Sequence, residues 1–191
     1  MKVGLYFGSF NPVHVGHMII ANQILTNTDL DQVWIVVSPH NPLKKKSTLA
    51  NDFDRLHMVN LAIGDTVNLK SSNVEFGLPQ PSYTVDTLAY LQEKHPGHQF
   101  ALIMGGDNLA TFRRWKNYQT ILDRHEIFVY LRPGSDLTQT IEHKHINLLD
   151  GLPLLNISST FIRKSLKEGK SIQYLVPDAV FDFLANSNMY R

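Results

Sequence analysis

The sequence predicts an α/β fold, a doubly wound parallel sheet with helices on both faces and a helical segment at its end. Three observations predict it. Short apolar runs alternate with amphipathic stretches along all 191 residues, as strand–helix–strand units do. The first apolar run breaks at a turn, GSFNPVHVGH, that leads straight into a helical pattern. Other runs stop in turn-forming residues, at Ser38, Gly105 and Arg132.

The elements follow in order. Residues 3–7 form a buried strand, and residues 17–25 carry apolar side chains at helical spacing. Residues 33–37 are the second strand, ending at Ser38 and Pro39, followed by a polar loop through Asn41, Pro42 and three lysines. Residues 53–63 place Phe53, Leu56, Val59, Asn60 and Ile63 on one helical register, with Asp52 as N-cap. Residues 67–76 read as a strand region. Residues 84–94 read as a helix capped near Ser82 or Thr84 and stopped by His95, Pro96 and Gly97. A strand over 100–104 runs into Gly105, Gly106 and Asp107, and short helical pieces follow at 109–113 and 118–124. Residues 127–131 form a strand closed by Arg132, Pro133 and Gly134, and residues 145–149 add another. Residues 159–167 and 177–185 are helical, with Pro177 suited to a first helical position. No repeat or linker divides the chain, so residues 1–191 read as one Rossmann-like domain. Ligands of such sheets bind beyond the carboxyl ends of the strands, so the loops at Gly8, Ser38, Gly105 and Arg132 should share one rim.

Composition narrows the function classes. With 43% hydrophobic and 18% charged residues there is material for a core and no signature of disorder. Eighteen basic residues against seventeen acidic ones give a net charge of +1, which argues against a nucleic-acid partner, whose binding rests on phosphate neutralisation. Without cysteine there is no disulfide, thiolate nucleophile or thiolate metal ligand. No stretch reaches the roughly twenty apolar residues of a membrane span, and the N-terminal run is too short for a signal peptide. The expectation is a cytoplasmic protein without a membrane partner.

The turn after the first strand carries the chemistry. A strand-to-helix junction offers an anion backbone N–H groups and the positive end of a helix dipole. Gly8 permits a tight exit, and Gly16 permits close approach of a ligand to the backbone. His14 and His17, three residues apart at a helix start, can point the same way and donate hydrogen bonds to oxygens that gain charge in a transition state. The segment is neither a Walker loop nor a G-x-G-x-x-G fingerprint. The H-E-x-x-H zinc spacing is absent and no third ligand presents itself, so no metal site is expected. Taken without its context, the histidine pair would equally suit a plain helix cap. Near the other end, Ser158 and Ser159 with Arg163 one turn later make an N-cap cluster plus a cation, a set able to hold a phosphate.

With GSFNPVHVGH after the first strand and ISSTFIR at 157–163, the sequence resembles the nucleotidylyltransferase superfamily. Within it, the segments PSYTVDTL at 81–88 and GGDNL at 105–109, followed by Trp115, resemble the bacterial nicotinate-nucleotide adenylyltransferase family. The resemblance covers nearly the whole chain. It implies AMP transfer from ATP to nicotinate mononucleotide, giving nicotinate adenine dinucleotide and pyrophosphate in NAD biosynthesis. It places ATP on Gly8, Ser9, Phe10, His14, His17, Gly105, Asp107, Ser158, Ser159 and Arg163. The acceptor falls to Asn11, Lys44, Tyr83, Thr84 and Trp115, and the catalytic set is His14, His17, Arg163 and Lys45.

Each of these has a physical rationale. Asp107 follows two glycines at a strand end, where a carboxylate can accept from ribose hydroxyls or cap the helix from Leu109. A pyridinium ring stacks on the indole of Trp115, and its carboxylate suits the backbone amides at Tyr83 and Thr84. The family has a basic residue in the loop after the second strand; Lys45 is slightly favoured over Lys44, and at least one of Lys44, Lys45 and Lys46 is expected to face solvent. Arg132 is a weaker phosphate candidate. Lys116 departs from the aromatic or polar residue that often follows the tryptophan, and Arg113 and Arg114 read as surface. Mg²⁺ is expected to arrive with ATP, since no acidic cluster would cage it. The chain leaves homo-oligomerisation open. The competing functions are an adenylyltransferase for nicotinamide mononucleotide or phosphopantetheine, separable by acceptor, and a non-catalytic nucleotide-binding module, separable by turnover.

Overall fold

The structure is a computed structural model that describes residues 1–39, 49–131, 141–153 and 155–191. Six parallel strands form one sheet: β1 (Lys2–Gly8), β2 (Gln32–Val37), β3 (Leu69–Ser72), β4 (Gln99–Gly105), β5 (Ile127–Tyr130) and β6 (Ile146–Leu149). Their order is β3-β2-β1-β4-β5-β6, the doubly wound arrangement whose direction of winding reverses between β1 and β4. The helices are α1 (Val15–Asn27), α2 (Asp52–Ile63), α3 (Thr84–Lys94), α4 (Gly106–Thr111), α5 (Tyr118–Arg124), α6 (Ser159–Lys167) and α7 (Asp178–Ala185).

Strand alternation divides the core into two layers. Val3 and Leu5 of β1 and Phe100, Leu102 and Met104 of β4 face a layer closed by α3, α4 and α5 through Leu88, Leu91, Leu109, Ile121 and Leu122. Tyr6 of β1, with Ala101 and Ile103 of β4, faces a layer closed by α1, α2, α6 and α7. Both faces being covered, these strands are apolar on both sides, which is why they read as continuous apolar runs.

Register sets the rim. Gly8 pairs with Val37, Gly105 pairs with Tyr130, and β1 and β4 are neighbours. The carboxyl ends of these strands therefore lie side by side at the point where the winding reverses, as the sequence predicted. Arg132, expected on the same rim, lies outside the described residues, as do Lys44, Lys45 and Lys46.

Several local expectations are corrected. The α2 cap is Asn51, whose side chain accepts from the backbone N–H of Phe53, and Asp52 is the first helical residue. The buried face of α2 is Arg55, Met58, Val59 and Ile63, while Phe53 is two-thirds exposed at 66%. The helix is rotated from its apolar register because the buried Arg55 takes its acceptors from the loops beneath it. Residues 67–76 split into the short β3 and a 3-10 turn over Val74–Gly77. Tyr83 caps α3 through its backbone without a side-chain bond, and Pro177 occupies the cap of α7 rather than its first helical position. No helix among the described residues is long and apolar enough to cross a membrane.

Candidate active site

β1 ends at Gly8 and the chain turns beneath the start of α1. A side chain at Gly8 would place its Cβ 2.8 Å from the Cζ of Phe10, so the missing methyl group leaves room for a buried ring. Phe10 sits at φ +43 and packs edge-on to Tyr6 at 5.6 Å and to His17 at 5.0 Å. His14 is the N-cap of α1 and is buried, at 4% exposure. Its ring stacks on His17, with centroids 3.6 Å apart and planes 23° apart. The two imidazoles thus share one face at the helix start, as their spacing predicted.

The backbone also fixes how His17 carries its proton. The N–H of His14 donates to Nδ1 of His17 at 3.2 Å. With Nδ1 accepting, a neutral ring holds its proton on Nε2 and presents a donor there. Gly16 also makes room for a neighbouring ring. A Cβ at Gly16 would lie 3.1 Å from both Cε1 and Nδ1 of His14, so the bare glycine lets the His14 ring pack against it.

The turn's carbonyls are occupied from remote parts of the chain. The Gly8 carbonyl accepts from the N–H of Ser38 at 2.9 Å, and the Ser9 carbonyl accepts from the guanidinium of Arg55. Arg163 donates to the Asn11 carbonyl at 2.8 Å, and the Ser159 hydroxyl donates to the Pro12 carbonyl at 2.9 Å. These bonds pin the loop to the end of β2, to α2 and to α6. Ser158 is the side-chain cap of α6, accepting from the N–H of Phe161 at 3.2 Å. The two motifs lie almost 150 residues apart in sequence, and the fold locks them together through Ser159 and Arg163.

On the neighbouring strand, Asp107 lies in the first turn of α4 and is exposed, while Gly105 is the cap. Asp107 is therefore not the helix cap. A Cβ at Gly105 would stand 2.5 Å from Asp107 Oδ1, so glycine there lets the carboxylate fold back towards the rim. Thr84 is the first residue of α3. Trp115 is half-buried against Phe112, with ring centroids 5.4 Å apart. Arg113 and Arg114 are exposed, as expected. Lys116 bonds Asp86 at 2.8 Å and lies 4.7 Å over the Tyr83 ring. It joins the Trp115 segment to the start of α3, beside a cavity of about 280 Å³ lined by residues 78–83, Asp86 and Lys116. Among the described residues, no group of three histidines or acidic residues is placed to hold a metal ion.

The chain matches the cytidylyltransferase-like family over residues 5–165. Two full-length relatives carry the name "Probable nicotinate-nucleotide adenylyltransferase". That of Flavobacterium psychrophilum is 55% identical, with 100% of both chains covered. That of Bacteroides fragilis is 42% identical, covering 94% of this chain and 89% of its own. The chain belongs to the nicotinate-nucleotide adenylyltransferase family. A solved nicotinic acid mononucleotide adenylyltransferase of Plasmodium falciparum, complexed with NaAD, superposes with a TM-score of 0.80 at 19% identity, covering 99% of this chain and 97% of that one. The same protein complexed with APC gives 0.79 at 18% identity. At that identity the likeness is one of fold, and it extends through the sheet and both helical layers.

Two residues that hold this loop were not found by sequence reasoning. Arg55 is fully buried and ties Ser9 to the end of β2 and the head of α2, donating to the carbonyls of Ser38 at 2.9 Å and Ala50 at 3.1 Å and pairing with Asp52. Its signal was a cation three and four residues before Met58 and Val59, on what proves to be the buried stripe. Tyr190 donates to Asn11 Oδ1 at 2.6 Å, and no local pattern points to that contact.

Proposed function

We propose that this chain transfers the adenylyl group of ATP to nicotinate mononucleotide, forming nicotinate adenine dinucleotide and pyrophosphate. The observation that carries this reading is the stacked His14–His17 pair at the start of α1, in a chain 55% identical to a full-length relative named for this activity. An oxygen of the acceptor phosphate attacks the α-phosphorus of ATP in line. A new P–O bond forms, the bond to the bridging oxygen breaks, and pyrophosphate leaves with the electron pair. The nucleophile is already an anion, so no proton has to be removed. Catalysis is then positioning and stabilisation of charge on the phosphoryl oxygens.

In this reading His17 donates from Nε2 to an α-phosphoryl oxygen, and His14 holds the ring by stacking. Arg163 and Ser158 face the β- and γ-phosphates at the head of α6. Asp107 accepts from the ribose hydroxyls at the carboxyl end of β4. Asn11 and one of Lys44 and Lys45 take the acceptor phosphate, while Trp115 and the Tyr83–Thr84 helix start take the pyridine ring and its carboxylate. Divalent magnesium enters as part of the MgATP substrate. The test is pyrophosphate release from ATP with nicotinate mononucleotide, nicotinamide mononucleotide or phosphopantetheine as acceptor. Turnover with the first should exceed the others by at least tenfold; preference for another acceptor overturns the assignment.

A further inference from the structure

We infer that Tyr190 is a positioning residue for this reaction, its hydroxyl orienting the Asn11 carboxamide that receives the acceptor phosphate. The inference rests on the proposed role of Asn11. Asn11 is buried at 2% exposure in the loop between β1 and α1, and its Oδ1 accepts two hydrogen bonds. One comes from the backbone N–H of Ala50 at 3.0 Å, a group that can only donate, so the amide oxygen must face it. The other comes from the Tyr190 hydroxyl at 2.6 Å. Two donors on the oxygen fix the amide plane and put Nδ2, with its two hydrogens, on the opposite branch. They also polarise the amide, which strengthens Nδ2 as a donor.

The chain strains to bring Tyr190 there. Its φ is +67, a region costly for a residue with a side chain. The turn that delivers it is closed by a bond from Met189 N–H to Ser187 Oγ at 3.3 Å and folds back on α7 through Arg191, which donates to the Ala185 carbonyl at 3.0 Å. Its ring packs against the same core layer as α1 and α2. Burial pushes the phenol above its ordinary range despite the nearby charges of Arg163 and Arg55, so the hydroxyl keeps its proton and remains a donor at all working pH.

The test is steady-state kinetics on Tyr190→Phe, Asn11→Ala and the double variant, with thermal melts of each. Tyr190→Phe keeps the ring, and Ala50 still satisfies Oδ1. The expected result is a melting temperature within about 2 °C of wild type, an acceptor KM raised about tenfold and an unchanged KM for ATP, the split of a positioning role. The double variant should be no worse than Asn11→Ala alone. If Tyr190→Phe leaves the acceptor KM within twofold while Asn11→Ala raises it, Tyr190 is packing only and the inference falls. If the two effects multiply, Tyr190 does not act through Asn11, and it falls likewise. If Asn11→Ala itself leaves the acceptor KM unchanged, the role assigned to Asn11 is wrong, and the inference goes with it.

Discussion

Replacing Arg55 by Met should destabilise the protein and loosen the loop between β1 and α1. Met fills much of the same buried volume, so the effect isolates the guanidinium. Arg55 is completely buried and supplies donors to the carbonyls of Ser9, Ser38 and Ala50. A fully buried carbonyl left without a partner costs about 1–3 kcal/mol, and these three, on half-buried residues, fall at the low end. The gross loss is partly offset, because the folded state no longer has to desolvate a charge. Asp52, the ionic partner, is 40% exposed, so water can take over its charge. Counting about 1 kcal/mol net for each of the three carbonyls gives about 3 kcal/mol. For a chain of this size each kcal/mol lowers the melting temperature by about 2–4 °C, so the expected drop is about 6–12 °C. Arg55→Lys should recover less than half, since one ammonium cannot reproduce the spread of a guanidinium. Calorimetry reads both variants. A melting temperature for Arg55→Met within about 2 °C of wild type, or full recovery by Lys, would refute the reasoning.

Three other outcomes are expected. His17→Ala should lower kcat by roughly two to four orders of magnitude, the range for removing a donor to developing charge; a near-normal kcat in the adenylyl-transfer assay removes His17 from the mechanism. Gly16→Ala should also depress kcat, because its Cβ would press on the His14 ring from 3.1 Å, and substituting His14 in the same background should add little further loss. His125 has its basicity lowered, first by burial and also by the charge of Arg124, against the opposing bond from its Nδ1 to the Phe100 carbonyl at 2.8 Å. The folded state therefore binds fewer protons there than the unfolded chain, and stability should fall as pH drops below about 6.5. Unfolding midpoints from pH 7.5 to 5 should show this slope, and it should be shallower in His125→Gln; equal slopes in the two proteins would contradict it.

The sequence by itself determined most of the strands and the histidine pair, because these depend on contacts within one or two turns of chain. The parallel winding followed from the alternation of strands with helices. Spacing of three at a helix start is enough to stack His14 on His17. An apolar run between turn residues is enough to make a strand buried on both faces. Helix caps were less legible: Asn51 rather than Asp52 caps α2, since neighbouring residues with similar side chains compete for one N–H. The tertiary structure alone decided what the motifs are tied to. Arg163 and Ser159 read as phosphate ligands by pattern, yet in the fold they also clasp Asn11 and Pro12. Arg55 and Tyr190 joined the site only there. Their partners are backbone carbonyls and an amide oxygen 46 and 179 residues away, and such acceptors exist in every sequence. Which one a buried donor finds is set by how the layers pack, and periodicity carries no record of it.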